Sequence, residues 1–438
     1  MNARALAIRV LERVENGRAF LNLALDSELS RARGLDPRDA ALVTELCYGA
    51  MRRQLALDCG LANFSKKRLS RIEPRVLCAL RVGAYQLFYL RVPRRAAVAE
   101  TVEALKQVGS SRAAGFANAL LRKLSQLDEL PVPPASDWVA QLAVRESHPQ
   151  WLVARWVDRF GRQAAEAMIS ANNRPAPLTV RANPTRNQRI ELLERLARAG
   201  LTVRPTTASP QGVTIAAPGN VRELPGYAEG LWQVQDEAAQ LVVQYAAVAD
   251  GSRVLDACAA PGGKACQLAE RAIVVANDIH RGKLRKLEAE AERLGLRDRI
   301  ELLEHDAATP FPKRVKQFDA VLVDAPCSGL GTLHRHPELR YRRKESDIPR
   351  LVRLQRAILD SCRQVVSPGG LLIFAVCSPE PEEGEHQVDW LLRAHPEFAL
   401  EPPPGVLELP LERGFLRTLP GEQSWDGFFA ARLRRGSG

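Results

Sequence analysis

The chain has no apolar run approaching the roughly 18 residues that cross a bilayer. Its opening, MNARALAIRVLERVENG, is charged throughout where a signal peptide would be apolar. No membrane partner is expected. Eight cysteines are present, but no two form a C-x-x-C pair and no histidine stands at zinc spacing from them. Neither a disulfide framework nor a metal is predicted, and reduced thiols in a cytoplasmic protein are the expectation. Two phosphate cradles are also missing. There is no G-x-G-x-x-G, and the P-loop pattern fails because Cys258 stands where its first glycine belongs and Ala265 follows Gly263-Lys264. Acidic residues are the scarcer charged kind, 51 against 62 Lys and Arg, for a net charge of +11. Residues 1 to 130 hold 22 Lys and Arg against 13 Asp and Glu, so most of that surplus lies early and suggests a polyanionic partner.

With 438 residues, 46% hydrophobic and 26% charged, the chain is long enough for two or three ordinary globular domains. Residues 1 to about 127 read as all helix. Ala5, Ile8, Leu11 and Val14 share one face, and Val76, Leu80, Ala84 and Leu87 keep the same 3.6-residue period. Arg-rich patches alternate with these stripes (Arg52-Arg53, Lys66-Lys67-Arg68, Arg94-Arg95, Arg122-Lys123). Any single patch reads as a solvated helix face; the set concentrated in one domain favours nucleic acid. The proline-rich LPVPPAS, 130 to 136, marks a boundary. Beyond it come helices rich in Trp (Trp138, Trp151, Trp156), then a small α+β unit. In that unit APLTVRANP and GVTIAA read as strands around the helix IELLERLARAGL, with a turn at Pro218-Gly219-Asn220. Arg181 and Asn183 on its first strand are expected at the surface, within reach of RNA.

The stretch GSRVLDACAAPGGKACQLAERAIVVAND, 251 to 278, organises the rest. It reads as strand, small-residue loop, helix, strand and a closing acid, Asp278. That is the layout of a nucleotide-type site at the carboxyl edge of a parallel sheet. Alternation continues through strands ending at Glu304-His305-Asp306, at Asp324-Ala325-Pro326-Cys327 and at Cys377. A helix over 348 to 366 is closed by Gly369-Gly370, and the C-terminal stretch forms two strands around a loop. The expected fold is α/β, a doubly wound sheet with a terminal hairpin.

DACAAPGGK, VDAPCSGLGTLHRHPE, FAVCSPEPEEGE and the final DGFFAARL resemble the RNA cytosine-C5 methyltransferase family, which uses S-adenosylmethionine. RVLERVENG, LVTELCYGAMRR, VLCALRVGAYQLFYL and GFANALLRKL resemble the NusB-like RNA-binding domain. Together they are similar, end to end, to the bacterial 16S ribosomal RNA branch of that family, the RsmB type. The resemblance implies a NusB-like domain over 1–130, a small helical and α+β (RRM-like) subdomain over 137–235, and a Rossmann-like catalytic domain over 236–438. It implies S-adenosylmethionine as cofactor, held by Cys258, Ala259, Ala260, Pro261, Gly262, Gly263 and Lys264, with Asp278 on the ribose and Asp306 on the adenine side. Asp324 would serve the cofactor or the target base. The partner implied is 16S ribosomal RNA presenting an unstacked cytosine, and a monomer is expected.

The residue types suit that chemistry. C5 of cytosine is a poor nucleophile, so a thiolate must first add at C6. A hydrogen-bond or proton donor at N3 accepts the displaced charge, and a base finally removes the C5 proton. Two cysteines stand at strand ends, Cys327 in a Pro-Cys and Cys377. DNA cytosine methyltransferases would nominate Cys327; the RNA family nominates Cys377, with the Pro-Cys thiol aiding release. The family's threonine before the nucleophile is Val376 here, which removes a hydroxyl. Cys47, Cys59, Cys78, Cys266 and Cys362 are assigned to packing. His334, Arg335, His336 and the run Arg340 to Lys344 are expected to line an RNA channel. Two other classes are weighed: an RNA-binding or antitermination factor with a decayed catalytic domain, and a methyltransferase acting on something other than RNA. Intact Asp324, Cys327 and Cys377 oppose the first, and the basic helical domain opposes the second.

Overall fold

The computed structural model describes residues 2–437 apart from 18, 33, 132–136, 217–218, 314, 406–408, 422 and 424. Most of the proline-rich boundary and Pro218 of the turn thus lie outside the described residues. The chain forms two compact units, one of Met1–Pro175 with Leu333–Arg343, the other of Ala176–Thr332 with Lys344–Gly438.

The first unit is helical: α1 (Ala3–Glu15), α2 (Leu21–Arg31), α3 (Pro37–Arg52), α4 (Gln54–Phe64), α5 (Pro74–Tyr89), α6 (Arg94–Gln107), α7 (Ala114–Leu124), α8 (Trp138–Arg145) and α9 (Gln150–Asn172). Starts are set by local chemistry. The side chains of Asn2, Asp36 and Asp137 accept backbone N–H groups at the first turns of α1, α3 and α8, and Pro37 occupies the first position of α3. Helix α5 is apolar nearly all round and is accordingly buried from Val76 to Leu87. It approaches α3 so closely that a Cβ on Gly49 would lie 2.0 Å from the Tyr85 ring, which explains a glycine in mid-helix.

The segment Leu333–Arg343 belongs to this helical unit, and it overturns the expectation that these residues line an RNA channel. Arg340 is fully buried. Its Nη1 donates to the carbonyls of Arg52 and Ser147 and to Asn173 Oδ1 (3.1, 3.3 and 2.7 Å), and its Nη2 donates to the carbonyl of Asn172 at 2.7 Å. Tyr341 donates to the Met51 carbonyl, and Arg342 to those of Val14 and Ala19. Buried Glu338 accepts the Leu21 N–H at the start of α2, and the His334 carbonyl accepts Arg52. Helix ends leave four carbonyls or four N–H groups without intrahelical partners. The segment supplies partners at the ends of α1, α2, α3 and α9. Of His334, Arg335, His336 and the run Arg340 to Lys344, Lys344 alone is exposed.

The second unit holds two sheets. In the smaller, β1 (Leu178–Ala182), α10 (Arg189–Arg198), β2 (Val203–Pro205), β3 (Gly212–Ile215) and β4 (Trp232–Val234) give an antiparallel order β2-β3-β1-β4. Strands β2 and β4, only three residues each, are additional to the two expected. Arg181 and Asn183 are buried rather than at the surface. Arg181 forms a two-pronged ion pair with Glu270, and Asn183 donates to the carbonyls of Gly230 and Leu294. No RNA contact is open to either.

The larger sheet follows α11 (Glu237–Ala246). It is built from β5 (Arg253–Asp256), α12 (Gly263–Ala269), β6 (Ile273–Asp278), α13 (Arg281–Leu294), β7 (Ile300–Glu304) and β8 (Phe318–Asp324). The chain then makes the excursion bearing the helical turn α14 (Leu339–Arg342). It returns through α15 (Asp347–Arg363), β9 (Val366–Val376), α16 (Glu385–Ala394), β10 (Phe398–Leu400), β11 (Leu411–Glu412), β12 (Phe415–Thr418) and β13 (Phe428–Arg435). The order is β11-β12-β13-β9-β8-β5-β6-β7, parallel from β9 to β7, with β10 also on β13. Gly369-Gly370 does not close the preceding helix as expected. The pair lies within β9, where the register takes five steps against two along β8, from Phe318↔Val366 to Ala320↔Leu371, and Gly369 sits at φ +72°. A bulge of that kind needs a residue without a Cβ.

Candidate active site

The chain runs from β5 out to β6 and β7, then returns to lay β8 on the other side of β5. Strand order reverses there, and the crevice beyond the carboxyl ends of β5 and β8 is where such sheets hold ligands. The loop after β5 is tied to both neighbours: Ala257 N–H donates to Leu322 O and Ala259 N–H to Asn277 O, each at 2.8 Å. Buried Asn277 donates its side-chain amide to the carbonyls of Ala257 and His305 (2.8 and 3.1 Å), so it holds the loops after β5 and β7 to β6. Ala260-Pro261 is cis. Gly262 stands at φ +116°, and a Cβ there would come within 2.9 Å of Leu287 Cγ on α13. Neither backbone nor space admits a side chain.

Asp278 ends β6 largely buried, with one oxygen accepting His280 N–H. Asp306 follows β7, is exposed and accepts Ala308 N–H. Asp324 ends β8 and pairs with Lys264 at 2.7 Å. Burial draws the Lys264 ammonium down, but Asp324, with Cys377 and Asp256 beyond it, more than offsets this, so the lysine stays charged. Its Nζ also lies 4.9 Å from the centre of the Phe428 ring. Asp256, at the end of β5, is 1% exposed, with the Cys258 backbone N–H beside its carboxylate. Burial, reinforced by Asp324, pushes its pKa up to about 7. Asp324 and Asp256 beside Lys264, with Asp278 and Asp306 at the ends of β6 and β7 on the same sheet edge, suit a ligand with a cationic centre and hydroxyl groups, and S-adenosylmethionine has both.

Cys327 and Cys377 come together. Their sulfurs are 3.3 Å apart, although 50 residues separate them in the chain. Hydrogen bonding to Cys377 and burial keep the Cys327 thiol protonated, well above the ordinary thiol range. Cys258, in the loop after β5, is raised by burial too. Val376 is fully buried among apolar side chains opposite Phe429 of β13, surroundings that suit an isopropyl group. Cys47, Cys78, Cys266 and Cys362 are buried in the cores, and Cys59 is partly exposed. Sequence reasoning passed over Asp256, Asn277, Ser328, Gln355, Ser378 and Glu383. Glu383 stands inside the quoted FAVCSPEPEEGE, but four acids there share one local pattern and nothing local singles out the two that are buried, Glu380 and Glu383.

This sheet and its polar edge define a Rossmann-like methyltransferase of the class that uses S-adenosylmethionine. Residues 243–434 match the family model described as 16S rRNA methyltransferase RsmB/F. Residues 1–126 match the NusB family, and 148–222 match a ferredoxin-like domain of RsmF/B-like methyltransferases. The ribosomal RNA small subunit methyltransferase B of Pseudomonas syringae pv. tomato is 37% identical over 450 residues, 99% of this chain and 97% of that protein. Its counterpart in Vibrio cholerae is 36% identical, covering 99% and 98%. Among solved structures, PH0851 aligns with a TM-score of 0.87 at 25% identity over 99% of both chains. A methyltransferase homolog protein from Pyrococcus horikoshii aligns with a TM-score of 0.58 at 26% identity, over 69% of this chain and 100% of that one. The chain belongs to the RsmB/F family of 16S rRNA methyltransferases.

Proposed function

We propose that the protein methylates C5 of an unstacked cytosine in 16S ribosomal RNA, using S-adenosylmethionine and a transient bond between Cys377 and C6. The observation that carries this reading is the 3.3 Å approach of two thiols beside a lysine–carboxylate pair at the ligand edge of the sheet. The Cys258–Lys264 loop with Asp278 and Asp306 would hold the cofactor, which when bound supplies an electrophilic methyl group on a sulfonium. Addition of the Cys377 thiolate to C6 pushes electrons toward N3 and C5. Lys264 and Asp324 offer one proton donor and one acceptor side by side, the complement of cytosine N3 and its amino group. After methylation a base takes the C5 proton, the C5–H electrons rebuild the C5–C6 double bond, and the C6–S pair returns to Cys377. The Cys327 thiol, still protonated, is placed to hydrogen-bond the departing sulfur.

Residues 1–130 would bind RNA and residues 236–438 would carry out the chemistry, with 137–235 between them, in a cytoplasmic monomer. The early surplus of basic residues supports the RNA partner. Incubation with 16S RNA and S-adenosylmethionine tests the roles. Cys327→Ala should accumulate a protein–RNA adduct stable on a denaturing gel, and Cys377→Ala should form none. Full activity of Cys377→Ala would refute the assignment. Bisulfite mapping of 16S RNA from cells with and without the protein would identify the base.

A further inference from the structure

The last ladder bond between β8 and β9 is Ala325 N–H to Ala375 O. Past that point the two strands pass into separate loops, each carrying one of the paired cysteines, and something must hold those loops in register. Gly331 N–H donates to the Cys377 carbonyl. A larger tie comes from a single carboxylate. Glu383 is fully buried just ahead of α16. Its Oε1 accepts Ser328 N–H at 2.8 Å and Gln355 Nε2 at 3.2 Å, and its Oε2 accepts the hydroxyls of Ser328 and Ser378 at 2.5 and 2.6 Å. Gln355 in turn donates to the Pro326 carbonyl. Ser328 and Ser378 are the residues immediately after Cys327 and Cys377, and their hydroxyls lie 3.1 Å apart. One side chain therefore grips both cysteine loops one residue beyond each sulfur.

We propose that Glu383 is the positioning residue that holds the Cys327 and Cys377 thiols in contact, acting through Ser328 and Ser378 without touching substrate. Its importance for turnover rests on the proposed roles of the two cysteines; its effect on their spacing does not. Its charge also lies close enough to Cys327 to help keep that thiol protonated. Charge is thereby directed away from Cys327, whose proton remains available to the neighbouring sulfur.

The test uses the full-length protein and diamide, which takes up two thiol hydrogens as a disulfide forms. Wild type should give a Cys327–Cys377 cross-linked peptide rapidly in mass spectra recorded without reductant. Glu383→Ala should slow that cross-link at least tenfold while circular dichroism stays unchanged. Glu383→Gln keeps the shape and should retain most of the cross-linking rate, but with a shifted pH dependence because the charge is gone. Methylation by Glu383→Ala should show a kcat reduced at least tenfold and a KM for S-adenosylmethionine within twofold of wild type. Wild-type cross-linking in a folded Glu383→Ala would overturn the proposal. If Glu383→Ala does not fold, a Glu383→Gln whose cross-linking rate and pH dependence both match wild type would overturn it. Full activity of Cys377→Ala would instead defeat the underlying catalytic reading, because cross-linking needs no turnover.

Discussion

Arg340→Met separates a structural arginine from an RNA-binding one. The substitution keeps an unbranched side chain but leaves three acceptors, the carbonyls of Arg52 and Asn172 and the Asn173 side-chain oxygen, without their donor, while the Ser147 carbonyl keeps the Tyr341 hydroxyl. Each orphaned acceptor costs roughly 1.5 kcal/mol, so about 4.5 kcal/mol is lost in all. The guanidinium's own desolvation is relieved in return. Burial pulls its pKa down to about 10 from 12.5, which corresponds to about 3 kcal/mol. The net loss is therefore about 1.5 kcal/mol, or about one decade in local opening. Hydrogen exchange read by mass spectrometry should show this in peptides at the C-terminal ends of α3, α8 and α9. Arg340→Lys should lose a similar amount, since one ammonium cannot reproduce a fork reaching four acceptors. Protection unchanged within about 0.5 kcal/mol, together with a salt slope of RNA binding reduced by about one, would restore Arg340 to an RNA surface and refute the reasoning.

Asp256 holds its proton more tightly when folded, with a pKa of about 7 against the ordinary aspartate value of 3.8. Its contribution is complete below the unfolded value and is lost as pH rises toward 7, by at most about 1.4 kcal/mol per pH unit. Asp256→Asn should flatten this slope in urea unfolding between about pH 4 and 7; an unaltered slope would show that the carboxyl titrates normally. Gly262→Ala forces a side chain into φ +116° and against Leu287. Strain of about 1–2 kcal/mol should weaken S-adenosylmethionine binding about tenfold in calorimetry. Gly282→Ala on α13, where a Cβ meets nothing within 4 Å, should leave that affinity unchanged. Equal affinities for the two variants would count against the Gly262 loop as the cofactor cradle.

The helical stripes, the βα alternation and the polar residues at strand ends were legible because each depends on neighbours a few positions away. The helical face of Ala5, Ile8, Leu11 and Val14 is buried in α1, and Asp278 and Asp324 each close the strand they were read to end. Elements of three residues, such as β2 and β4, carry too little pattern to be seen. Gly369-Gly370 was misread because a glycine pair marks a bulge and a helix stop alike.

The amino-acid order alone thus determined the element types and which reactive groups stand at strand ends, since periodicity and turn chemistry act locally. Tertiary structure alone decided which arginines meet solvent and which satisfy buried carbonyls, because one Arg-rich string is compatible with either. It alone brought Cys327 to Cys377 and set Glu383 beneath both, since a parallel register joins residues that no local pattern links.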